Sequence, residues 1–185
     1  MEPLWITLGI VAFLVLFVVS TFNSLVGLKN QVKNAWSQID VQLKRRHDLI
    51  PNLLETVKGY MQHERQTLEN ITNARSRAVS AQSVGEKAKA ESALGGAIGR
   101  LLVSVENYPA LKANQNFLAL QEELSSTENK IAFARQSYND QVLFYNNKIQ
   151  MFPSNFIAQG FGFKPEESFE LENPSEKVVP KVSFS

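Results

Sequence analysis

From Leu4 to Phe22 the chain reads LWITLGIVAFLVLFVVSTF, with polarity confined to two threonines, one serine and the Trp5 indole. No ionisable side chain occurs between Pro3 and Leu28. A bilayer core about 30 Å thick needs about 20 apolar residues of helix to cross it. In hydrocarbon the backbone must satisfy its own hydrogen bonds, so a single segment crosses as a helix. A secretory signal would carry a basic start, a shorter apolar run and a small-residue cleavage site. Met1-Glu2-Pro3 has no basic residue and Ser20-Thr21-Phe22-Asn23 has no A-x-A pattern. Residues 4–24 are therefore predicted to be an uncleaved transmembrane helix, preceded by a short exterior N-terminus at 1–3.

Beyond the span the apolar positions change from continuous to periodic. Leu25, Leu28, Val32, Trp36, Ile39, Leu43, Ile50, Leu53, Val57 and Tyr60 follow at intervals of three and four, interrupted by Arg46. That spacing buries one stripe of a helix. Pro51 falls inside it, and an interior proline kinks or breaks a helix. Leu43, Ile50 and Val57 keep a spacing of seven across the proline, which predicts one helix bent near 49–51 and running to about Arg77. Ser80, Ser83 and Gly85 predict a turn at 80–86. A second soluble helix follows from about Lys87 to Glu106, where Gly95, Gly96 and Gly99 each cost about 1 kcal/mol relative to alanine. Close approach of a neighbouring helix to Ala93, Gly96 and Ala97 is the expected compensation.

Asn107-Tyr108-Pro109 should end that helix, since the residue before proline is pushed out of the α region. A third begins near Asn114, a good N-cap residue, and runs to about Met151. Phe117, Leu124, Ile131, Tyr138, Tyr145 and Phe152 recur every seven residues, flanked by Leu120, Ala134, Val142 and Ile149. Sustained sevens point to coiled-coil packing. The predicted fold is all-α: a transmembrane helix continuing into an antiparallel bundle of long helices over 25–152. Residues 153–185 form a short irregular or β tail, where Phe169–Glu172 and Lys181–Phe184 alternate in the strand manner. Six phenylalanines from Phe152 onward should pack on the bundle or on a partner.

Charge adds orientation and excludes one class of partner. Lys29 and Lys33 follow the span while only Glu2 precedes it. Positive flanks stay cytoplasmic, so the N-terminus is predicted outside and the C-terminal domain in the cytoplasm. Nineteen Lys and Arg against 18 Asp and Glu give a formal charge of +1, which offers no general field for nucleic acid. The basic run Lys44-Arg45-Arg46 reads as a solvated helix face.

The residues offer no enzyme signature. Cysteine is absent, and the two histidines, His47 and His63, are sixteen positions apart on one predicted helix, about 24 Å along its axis. They cannot share a metal within one chain. His63-Glu64 lacks the second histidine of a zinc-binding helix. Glu122-Glu123 and Glu166-Glu167 are adjacent pairs, whose side chains diverge on a helix. No metal, cofactor or catalytic residue is expected.

The run LVGLKNQVKNAWSQIDVQLKRRHDLIPNLLETVKGY at 25–60, with NFIA at 155–158, FGFK at 161–164 and PKVSF at 180–184, resembles the bacterial LemA family. Ser168 departs from that pattern, which would place an aromatic before Phe169. The resemblance implies a single-span inner-membrane protein with a cytoplasmic helical bundle and no defined catalytic residues. Genes of that family often sit beside genes for membrane-bound zinc peptidases. Trp36, Asp40, Arg45, Arg46, Asp48, Asn52 and Glu55 crowd twenty residues around the proline. One reading is structural, with Asp40 paired to Lys44 one turn on, Trp36 filling the seam and Pro51 fixing the bend; the other makes them a candidate interaction surface for another subunit or protein. Buried in the seam, Arg46 would need a carboxylate or a partner. The expected function is a non-enzymatic, membrane-anchored scaffold or adaptor that forms a homo-oligomer, binds partner proteins at the inner membrane such as a membrane peptidase, or does both. The alternatives are an enzyme with a site around His47, Asp48 and Glu55, and an adaptor of a membrane peptidase.

Overall fold

The computed structural model describes residues 2–61 and 63–169, with side chains from Leu4 onward. Among them are six helices and no strand: α1 (Glu2–Lys58), α2 (Arg65–Ser80), α3 (Val84–Val105), α4 (Pro109–Lys112), α5 (Gln115–Gln150) and α6 (Ser154–Gly160). The predicted strands at 169–172 and 181–184 lie, beyond Phe169, outside the described residues. The chain divides into two compact units, to both of which α1 and α5 contribute. The first holds the residues up to Arg46 and Leu124–Ser168; the second holds His47–Glu123 and Phe169.

In the first unit α1 opens with its apolar side chains exposed, from Leu4 to Leu16 and at Val19, with Phe17 and Val18 half-buried. Burial begins at Thr21 and then follows the predicted stripe through Leu25, Val32, Ile39 and Leu43. This stripe faces Leu124, Ile131, Tyr138, Val142 and Tyr145 of α5, all of them buried. Trp36 and Tyr138 meet with ring centroids 5.2 Å apart, and Arg46 meets Glu128 at 2.5 Å. Ten residues back along α1 match ten residues forward along α5, so the pair is antiparallel without slip. Phe152, expected in the same seam, is instead 80% exposed, because α5 ends at Gln150 and the chain turns away.

Residues 163–168 return along α5, held by polar contacts. Asn146 takes the Glu166 backbone N–H and donates to its carbonyl, both at 2.9 Å. The Tyr145 hydroxyl donates to the Lys164 carbonyl at 2.9 Å and the Tyr138 hydroxyl to that of Glu167 at 2.7 Å. Phe163 is half-buried and Phe169 buried, whereas Phe152, Phe156 and Phe161 stay exposed. The tail thus packs on α5 mainly through backbone carbonyls rather than through its phenylalanines.

In the second unit the long helix expected to reach Arg77 stops at Lys58, and a turn beginning at Gly59 and Tyr60 follows it. The break falls at glycine, the residue with the largest backbone entropy to lose, and not at Pro51, which α1 carries in its interior. The N–H groups of Tyr60 and Met61 both bond the Val57 carbonyl. α2 then runs back along α1, with Ile71, Ala74 and Ala78 buried. A second turn at Ala81–Ser83 leads into α3 through a capping box between Ser83 and Glu86, which satisfies two helix-start donors. The backbone N–H of Ser83, and after it that of Gln82, bond the Glu86 carboxyl and hold it below its usual range.

The expected compensation for the α3 glycines is not found. A Cβ added at Gly95 or Gly99 would meet nothing within 4 Å, and one at Gly96 only the tip of Arg100. Ala93 is exposed as well. Pro109 opens α4, as its missing N–H allows. Asn114 caps α5 by accepting from the N–H groups of Asn116 and Phe117.

Candidate functional site

The seven candidate residues lie on successive turns of α1, four in the first unit and three in the second. In the first, Trp36 is half-buried against Tyr138 and Asp40 is half-buried beside it on the helix. Arg45 points to solvent while Arg46 is 3% exposed. The carboxylate that Arg46 required is Glu128, itself 56% exposed. The pair therefore extends from the core to the surface: the carboxylate keeps much of its hydration, and its charge compensates the buried guanidinium.

Burial and two glutamates also act on the tyrosines that hold the returning segment. Burial first, then Glu166 and Glu167, push the Tyr138 hydroxyl up to about 12. Burial and Glu166 push that of Tyr145 up as well. Both phenols therefore remain protonated donors throughout the neutral range.

In the second unit Asp48, Asn52 and Glu55 are exposed, with Glu55 4.0 Å from Lys58 across one turn. Glu55 also lines an open groove of about 880 Å³ between the end of α1 and α2, together with Leu54, Lys58, Leu68, Glu69 and Thr72. His47 turns inward, and its Nε2 lies 2.7 Å from Glu91 of α3. Its side chain is 11% exposed and that of Glu91 5%. Asp48 and Glu55 do not join His47. Among the described residues no group of three or more metal-ligating side chains converges.

A second bond explains how α1 passes Pro51. A helical proline lacks the N–H that would bond the carbonyl four residues earlier, here that of His47. Arg75 Nε of α2 donates to this carbonyl at 2.8 Å. The residue that faces Glu91 with its side chain thus offers its released carbonyl to Arg75. Arg75, Glu91 and Glu128 were not singled out from the sequence. Glu91 had a visible signal: it sits between Ala88 and Leu94 in the buried stripe of α3, where an unpaired carboxylate would be costly.

A model of the LemA family matches residues 35–184. The chain is similar to Protein LemA of Metamycoplasma hominis, at 32% identity over 156 residues, covering 83% of this chain and 69% of the relative. It is also similar to Magnetosome protein MamQ 2 of Paramagnetospirillum magneticum, at 25% identity, covering 91% and 71%. Magnetosome protein MamQ of Magnetospirillum gryphiswaldense is 24% identical with the same coverage.

Proposed function

Because the chain belongs to the LemA family, we propose that this membrane-associated protein is a non-enzymatic scaffold that self-associates at the bacterial inner membrane. Its N-terminus lies outside and its helical part in the cytoplasm. The observation that carries the reading is the outer face of α5 in the first unit. There Phe133 is 73% exposed and Phe144 56% exposed, eleven residues and about three turns apart on one side of the helix. Two exposed phenylalanines on one helical face fit burial by the same face of a second copy, as symmetric assembly requires.

Light scattering on the full chain in detergent at micromolar concentration tests it. The expected result is an oligomer that Phe133→Ser with Phe144→Ser converts to smaller particles. A strictly monomeric wild-type particle contradicts self-association. Orientation is read separately by reporters fused after Ser185, for which a cytoplasmic signal is expected. Crosslinking in native membranes would identify a partner, such as a membrane peptidase, if the scaffold also serves as an adaptor.

The enzyme alternative rests on the His47–Glu91 pair rather than on His47, Asp48 and Glu55. A carboxylate on Nε2 orients an imidazole for general-base work. Full complementation of a deletion phenotype by His47→Gln would remove this alternative.

A further inference from the structure

Within the first unit, the corner joining α5 to α6 carries Met151, Phe152, Phe156 and Phe161, each more than half exposed. Three observations set this corner at one level along α1. The α1–α5 pairing relates Arg46 to Glu128 and Trp36 to Tyr138. Followed fourteen residues further, it places Phe152 level with Phe22. The second observation is direct: Phe22 touches Phe161 and Phe163, with ring centroids 4.9 and 5.7 Å apart. Thirdly, Gly162 has φ 72°, and the Phe163 N–H closes back on the Ala158 carbonyl at 2.9 Å. This helix-ending turn carries the chain past Phe161 and back to Phe22.

Phe22 is also where the apolar span ends. Nineteen helical residues from Leu4 cover about 28 Å, close to the thickness of a bilayer core. From Leu4 onward, Thr21 is the first buried residue of α1; before it only Phe17 and Val18 are half-buried, and Leu4–Leu16 are exposed. The exposed phenylalanines therefore sit at the depth where hydrocarbon gives way to headgroups. Lys164 is exposed three residues beyond Phe161, and Lys148 is half-buried four residues before Phe152.

We propose that the α5–α6 corner is a second membrane contact: Phe152, Phe156 and Phe161 insert into the headgroup–acyl boundary of the leaflet from which α1 emerges. An apolar face at that depth beside basic residues is the chemistry of an interfacial anchor. Continuity with the span through Phe22 favours lipid over a second copy as its cover. With two points of attachment, the first unit is held at a fixed orientation to the bilayer instead of pivoting on one helix.

The inference rests on the transmembrane reading of α1 and is tested together with it. Since the chain has no cysteine, single nitroxide labels can be placed in the full protein in vesicles of phosphatidylcholine and phosphatidylglycerol. Labels go at Phe156→Cys, at Gln159→Cys (which keeps every phenylalanine), at Leu14→Cys in the span and at Lys33→Cys, an exposed position eleven residues beyond Phe22. The ratio of oxygen to water-soluble nickel accessibility reports depth. The ratio at 156 and 159 is expected several-fold above that at 33 and below that at 14. A ratio at 156 and 159 equal to that at 33 overturns the proposal. So does low accessibility to both reagents, which means protein covers the corner. An aqueous reading at 14 removes the anchor and the proposal with it.

Discussion

α1 is one helix with two kinds of apolar surface. From Leu4 to Leu16 large side chains project on every side and remain exposed, whereas from Leu25 to Val57 a single stripe is buried almost completely. Composition and pattern both distinguish these halves: no ionisable side chain occurs from Pro3 to Leu28, whereas charged residues flank the stripe beyond it. A helix apolar all round is matched to hydrocarbon, and one with a narrow stripe is matched to a neighbouring helix. The change occurs within two residues of Thr21, where burial begins and the apolar run stops.

The sharpest way to break this comparison is to make the same change in both halves. Leu53→Ala removes a side chain with no exposure, and unfolding in nanodiscs should lose about 2–5 kcal/mol. Leu14→Ala should leave the soluble transition unchanged, since its neighbours are not protein. Equal losses would mean that the first half packs on protein. Next in size is the relay at Pro51. Arg75→Met should cost about 1.5–3 kcal/mol, the range for a charged hydrogen bond. Pro51→Ala restores a helical donor to the His47 carbonyl, so in that background the same change should cost measurably less. A double-mutant cycle with no coupling would show that Arg75 acts elsewhere.

Much of this contrast is legible in the sequence. The span needs only a count of ionisable groups, and the α5 seam only its spacing of seven. Asn114 and Pro109 mark helix starts by local chemistry. The reversal that begins at Gly59 is not legible from periodicity, because Val57 and Tyr60 continue the stripe across it. Gly59 is its one local signal. The partners of the polar residues lie far away in sequence: Glu91 is 44 residues from His47 and Glu128 is 82 from Arg46. The need for a carboxylate can be read at Arg46; which carboxylate answers it is decided by helix register.

A smaller effect sharpens the comparison from the opposite side. The α3 glycines face open space, so Gly96→Ala and Gly99→Ala should each stabilise the fold by about 1 kcal/mol through helix propensity. A loss in thermal unfolding would show that something packs there. The smallest effect is alkaline. Because Tyr138 is raised from 10 to about 12, its contribution is fully present below pH 10 and is lost as pH rises toward 12. Melting temperatures between pH 9 and 11.5 should fall less steeply in Tyr138→Phe, with a residual slope from Tyr145. An unchanged slope would assign the alkaline loss to other groups.

The division of α1 is tested most directly by single cysteines in intact membranes challenged with a water-soluble maleimide. Cysteines replacing Val11 and Leu14 should resist modification because hydrocarbon disfavours the reactive thiolate. Those replacing the exposed Lys33 and Ser37 should react fast, and one replacing the buried Ile39 should react only after unfolding. Modification at 11 and 14 as fast as at 33 would contradict the membrane-spanning half of the helix.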